Sequence, residues 1–139
     1  LPECDLPLEA SLTLDSDGVR VSHARQLATA FLDKVRGRVG IPVAGDTVEI
    51  AQLIVSELVT NARKYAPGPA LLHLRVVTGA VLRVELWDSS PVMPSAKAQD
   101  PGRIGRHGLE IVAPLARTVT VEETPVGKRI TADIPLTTA

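Results

Sequence analysis

Glu57 and Asn61 stand four residues apart in SELVTNARKYAPG (56–68), inside an otherwise apolar run. On a helix, Ile50, Leu53, Glu57, Asn61 and Lys64 fall along one stripe. That stripe starts apolar and turns polar in its last two turns, which predicts a helix covered at its start and open onto a cleft at its end. An acid and an amide at i, i+4 project together. An asparagine oxygen suits a hard cation such as Mg²⁺, which takes few protein ligands beside phosphate and water. A carboxylate next to it can orient or deprotonate a hydroxyl or a water. Glu, Asn and Lys are also ordinary at an exposed helix end, so spacing alone leaves a structural reading open.

Two other stretches carry chemistry. In ELWDSSP (85–91), Asp88 ends a strand and enters a turn. A carboxylate there can accept a hydrogen bond from a ligand amine, although Asp also commonly starts turns. Trp87, the only tryptophan, adjoins Asp88 and is expected to report on the same site. In PGRIGRHGLEIV (101–112), Gly102, Gly105 and Gly108 recur every third residue ahead of a helix. Glycines let backbone approach a ligand, and a helix N-terminus favours anions. Arg103, Arg106 and His107 would add positive charge. A flexible loop with a helix-starting glycine reads equally well. The stretch is neither a Walker A loop nor a dinucleotide fingerprint. His23, His73 and His107 have no metal-ligand spacing among themselves or with Cys4. His73 reads as structural, and Gly127-Lys128 as turn chemistry. No nucleophile elbow is present.

The elements that must position these residues follow from periodicity. Residues 1–9 and 137–139 read as tails around a single domain, 10–136. ASLTL is a first strand, with a turn at Asp17-Gly18. Apolar positions 24, 27, 28, 31, 32 and 35 predict a helix, with Ser22 as N-cap and Gly37 or Gly40 as stop. A second helix runs from about Asp46 to Ala66, with Val48, Ala51, Val55, Leu58, Ala62 and Tyr65 as its apolar stripe. Two strands follow, joined around Gly79-Ala80. Val81, Arg83, Glu85 and Trp87 alternate with Leu82, Val84 and Leu86. Residues 89–106 form a long loop, and such loops in compact domains are usually functional or mobile. A short helix, HGLEIVAPLA, is expected to kink or end early at Pro114. A hairpin, 118–124 and 128–136, closes the chain. Tight turns between strands require antiparallel pairing. The expected class is α+β: a two-layer sandwich, with helices on one face of a mixed, mostly antiparallel sheet.

Composition sets the outer bounds. The chain has 139 residues, 45 % apolar but only 2 % aromatic, so Leu, Val, Ile and Ala must build the core. Fifteen Lys and Arg against 16 Asp and Glu give net charge −1, without the basic excess of a nucleic-acid binder. One cysteine excludes a disulfide framework and fits a reducing cytoplasm. No apolar run approaches the roughly 20 residues of a membrane helix, and no signal peptide is visible. The chain starts at Leu1 rather than Met, which leaves a preceding segment open.

Taken together, the motifs resemble a family. ELVTNARKYA (57–66) looks like the N box of the superfamily uniting gyrase, heat-shock chaperone, histidine-kinase and mismatch-repair ATPases. WDSSP (87–91) looks like its adenine-binding box, with Ser90 where a glycine is usual. GRHGLEIV (105–112) looks like its second glycine box, and VGKRITA (126–132) resembles its last box. With HARQLATAFL as first helix, the chain is most similar to the anti-sigma-factor serine/threonine kinases, stand-alone regulators abundant in actinobacteria.

The resemblance implies an α/β sandwich of the Bergerat type holding ATP and Mg²⁺. Asn61 would bind the metal, and Glu57 would be the catalytic base. Asp88 would bond the adenine amino group. Gly105, Gly108 and Leu109 would hold the phosphates, with Lys64, Tyr65, Ser90, His107 and Lys128 around the nucleotide and residues 91–104 as a lid. The implied partners are an anti-sigma factor antagonist with a STAS domain and a sigma factor, in a cytoplasmic homodimer without direct nucleic-acid or membrane contact. The alternatives are a partner-binding module with weak or no ATP binding, or the ATP-binding domain of a histidine kinase.

Overall fold

The computed structural model describes residues 8–14, 21–40, 42–65, 68–77, 80–89, 112, 114–125 and 127–137, with the backbone alone for Arg38, Val39, Lys64 and Tyr65. The elements are β1 (Glu9–Leu14), α1 (Val21–Lys34), a π-helical turn (Val35–Val39), α2 (Gly45–Tyr65), β2 (Ala70–Val77), β3 (Val81–Asp88), β4 (Thr118–Glu123) and β5 (Lys128–Pro135). The sheet has five strands in the order β1-β2-β3-β5-β4, and every neighbouring pair is antiparallel. The expected α+β sandwich is therefore met, and no parallel pair occurs among the described strands. β1 starts at Glu9, one residue inside the stretch expected as a tail.

Strand alternation decides which face the helices cover. Ala70, Leu72 and Leu74 of β2, Leu82, Val84 and Leu86 of β3, and Ile130, Ala132 and Ile134 of β5 are all buried on one face. Each Leu or Ile so buried contributes roughly 1.5–3 kcal/mol. Above them lie Ala24, Ala28, Phe31 and Leu32 of α1 at i, i+4, i+7, i+8, and Ala51, Ile54, Val55, Leu58, Val59 and Ala62 of α2. The small Ala24 and Ala28 let the two helices approach closely, and the Gln52 amide donates to the Thr29 hydroxyl at 2.7 Å between them.

Helix ends differ in detail from the expectation. α1 begins at Val21, so Ser22 lies inside its first turn rather than capping it. Past Lys34 the helix widens into the π-turn and stops at Gly40, whose φ of 77° is left-handed and free of strain without a Cβ. Gly37 lies within that turn. After Pro114 the helical backbone ends at Leu115, and the Ala116 amide donates back to the Val112 carbonyl at 3.0 Å.

Candidate functional site

The run of α2 across the sheet sets the site. At its start, the Ala44 amide donates to the Leu136 carbonyl at 2.9 Å, and the Thr47 hydroxyl donates to the same carbonyl at 3.2 Å. At its other end, α2 leads through residues 66–69 into Ala70, which lies opposite Asp88, and Asp88 lies opposite Lys128. A helix of 21 residues spans about 31 Å and a strand of eight about 27 Å. Helix α2 thus runs from the end of β5 to its beginning. Its last turns, with Glu57 and Asn61, lie toward the sheet edge that carries Asp88 and Lys128.

Burial along the polar stripe is the reverse of the expectation. Leu53, near its start, is 40 % exposed, whereas Asn61, near its end, is 9 % exposed. Each i, i+4 step advances the stripe by about 40° around the helix, which carries Asn61 toward the sheet and leaves Leu53 outside. Asn61 therefore sits beside the buried Leu58 and Ala62 in the sequence of the core-facing helix, and Glu57 is half-buried. Among the described residues no side-chain hydrogen bond reaches the Asn61 amide. That leaves the amide oxygen able to take a ligand or a cation.

Asp88 shares the helix-facing side of β3 with Leu82, Val84 and Leu86, at the point where that apolar column ends. Its side chain is 1 % exposed, and that of Lys128 is 6 % exposed. The Lys128 ammonium lies 3.1 Å from Asp88 Oδ1 and 2.9 Å from Oδ2. Buried charges persist only when paired, and here the pair is formed across neighbouring strands. Periodicity alone did not show this pairing. The signal that could have found it is the register, which requires knowing that β5 lies beside β3.

Trp87 corrects a second expectation. Strand alternation turns its ring to the opposite face from Asp88, where the Arg129 guanidinium stacks 4.9 Å from the ring centroid. It therefore lies outside the Asp88 site. That outer face also holds Glu85, which accepts from His73 Nδ1 at 3.1 Å, and His73 Nε2 lies 2.5 Å from Glu9. His73 is structural there, as its strand position suggested.

Ser90, Gly105, His107, Gly108 and Leu109, and the lid expected at 91–104, lie outside the described residues, as do the side chains of Lys64 and Tyr65. Among the described residues no group of three or more His, Cys, Asp or Glu side chains could hold a metal ion. A cation at Asn61 would complete its shell with ligand and water oxygens, as Mg²⁺ does beside phosphates. A groove of about 450 Å³ lies elsewhere, between α1 and α2, lined by Arg25, Thr29, Asp33 and Gln52 among others. None of the candidate residues belongs to it.

Two helices on one face of an antiparallel sheet, with a polar helix end directed toward the strand end that carries a buried acid, are the α+β architecture of an ATPase-type domain. The family model of the histidine kinase-like ATPase domain matches residues 14–134, and the chain belongs to that family. It is also similar to a solved structure, the histidine kinase domain from Erythrobacter litoralis EL346 blue-light activated histidine kinase. The identity is 22 % and the TM-score 0.52, over 87 % of this chain and 66 % of that one, and at this identity the likeness concerns the fold. The chain thus spans just under two thirds of the solved chain. No curated protein matches it. Among the described residues no helix is long and apolar enough to cross a membrane.

Proposed function

We propose that this ATPase-type regulatory domain binds ATP with Mg²⁺ and transfers its γ-phosphoryl group to a serine or threonine of a STAS-domain anti-sigma factor antagonist. When that antagonist is absent the domain sequesters a sigma factor, acting as a cytoplasmic homodimer in partner switching. The observation that carries the reading is Asn61, 9 % exposed and without a side-chain hydrogen bond among the described residues, one turn from the half-buried Glu57 on the end of α2 that lies toward Asp88. In this scheme Asn61 would hold a Mg²⁺ ion, which would supply charge neutralisation at the phosphates. Glu57 takes the proton of the acceptor hydroxyl, the oxygen bonds to the γ-phosphorus, and ADP leaves. Asp88 contacts the base.

Calorimetric titration with ATP, with and without Mg²⁺, is the direct test. Micromolar, Mg²⁺-dependent binding that Asn61→Ala abolishes is the expected result. Absence of binding up to millimolar ATP would reduce the chain to a partner-binding module. The likeness to a solved histidine kinase domain favours a second reading, in which the phosphoryl acceptor is a histidine on another helix. The product separates the two, because phosphoserine and phosphothreonine survive acid and phosphohistidine does not.

A further inference from the structure

The groove between α1 and α2 is satisfied in its middle and charged at both ends. It holds about 450 Å³ and follows α1 from Ser22 to Asp33. Its middle is Thr29, whose hydroxyl accepts from the Gln52 amide at 2.7 Å and donates to the Arg25 carbonyl at 3.2 Å. Those groups find their partners within the chain and ask nothing of a ligand. The next residue, Ala30, is small and exposed, which lets a second helix approach closely. Arg25 and Asp33 stand toward the two ends, both exposed. They lie eight residues apart, about 12 Å along the helix. Among the described residues no acid pairs with Arg25. Asp33 meets Arg36 at 3.3 Å, in a pair of exposed side chains that contributes little and leaves the carboxylate open to a second cation.

Thr29 is the midpoint, four residues from each charge. A helix with a cation, a small residue and an anion at i, i+4 and i+8 is complementary to a copy of itself laid antiparallel. A two-fold axis at Thr29 sets each Arg25 against the partner's Asp33, so that one contact is made twice. We propose that this groove is the homodimer interface: a second copy of the chain lays its α1 antiparallel along it, held by two Arg25–Asp33 pairs with Thr29 at the axis. Another helix would need the opposite charge order at the same spacing, whereas a copy has it by symmetry. This inference rests on the homodimer of the proposed function and names the surface that forms it.

The test is sedimentation of the whole chain. Wild type is expected to dimerise. Arg25→Glu and Asp33→Arg each bring like charges together twice, and each is expected to weaken the dimer by about tenfold or more. An equimolar mixture of the two variants restores both opposite-charge pairs, and is expected to form a heterodimer about as tight as the wild-type dimer. Wild type that dimerises while neither variant weakens it would overturn the inference and leave the homodimer standing on another face. A mixture that recovers nothing would overturn it too. If wild type stays monomeric at its highest soluble concentration, the homodimer reading itself fails and the inference falls with it. Should either variant not fold, Thr29→Cys in a Cys4→Ser chain decides, since Cys4 is the only cysteine. Mild oxidation is expected to link that chain into a disulfide dimer, and its absence would overturn the inference.

Discussion

A Cβ placed on Gly127 would overlap the carbonyl oxygen of Asp88 and sit 2.7 Å from both the Cα and the carbonyl carbon of Ser89. The hairpin between β4 and β5 is thus docked by its glycine onto the end of β3. It is held in shape by the Thr124 hydroxyl, which accepts from the Gly127 amide at 3.0 Å. The obstacle is backbone, which cannot swing aside as a side chain would. Gly127→Ala is expected to cost about 1–3 kcal/mol, the usual cost of overpacking. It should also weaken nucleotide binding by moving Lys128 off Asp88. Thermal melts and ATP titrations check the two effects, and an unchanged melting temperature would show that the hairpin yields freely.

Arg83 donates through Nε and Nη2 to the two oxygens of Asp133 at 2.8 and 2.9 Å. That hydrogen bond, aided by the guanidinium charge, holds the Asp133 carboxyl below its usual range, while burial works the other way. A depressed folded value stabilises the protein above the unfolded value, about 3.9, and that stability is lost as pH falls through the folded value. Asp133→Asn is therefore expected to lower stability by about 1 kcal/mol at neutral pH, with the deficit shrinking below about pH 4. Melting temperatures from pH 7 down to pH 2 test this; a deficit independent of pH would exclude the ion pair as its source.

Glu85 is buried at the centre of the outer sheet face, with Arg75 Nε and Arg129 Nη1 each 3.6 Å away and His73 at 3.1 Å. Glu122 at the β4 edge also pairs with Arg129. Removing the central carboxylate brings Arg75 and Arg129 together without their shared counter-charge. Glu85→Ala should cost about 2 kcal/mol, less than a fully buried pair because both arginines reach solvent. Because Glu85 faces away from Asp88, ATP affinity should hold. Urea unfolding gives the first number and calorimetry the second; a loss of affinity at unchanged stability would contradict the assignment of faces.

Asn61 and Glu57 are expected to separate binding from chemistry. Glu57→Ala should abolish phosphoryl transfer while leaving ATP binding largely intact, and a variant that still phosphorylates its partner would rule out the base role. Asn61→Leu should instead leave the melting temperature nearly unchanged while losing Mg²⁺-dependent binding, since no side-chain hydrogen bond holds Asn61 among the described residues. Destabilisation by Asn61→Leu would mean that the amide serves the fold.

Local pattern determined much of this protein. The alternation in VLRVELWD assigned Leu82, Val84 and Leu86 to one face and Arg83, Glu85 and Trp87 to the other, because a strand has period two. The apolar spacing of both helices placed them, and it left Gly37 or Gly40 to end the first; the structure puts the stop at Gly40, whose left-handed φ suits glycine. The motifs at Glu57, Asn61 and Asp88 pointed to the family. The tertiary structure decided what lies beside what. The last strand, β5, enters between β3 and β4, so that Lys128 meets Asp88 across 40 residues of sequence. Rotation of α2 against the sheet buried Asn61 and exposed Leu53, and the face of β3 took Trp87 away from the carboxylate next to it. Periodicity is a property of neighbours along the chain, whereas strand order and buried pairs arise from closing a core over distant segments.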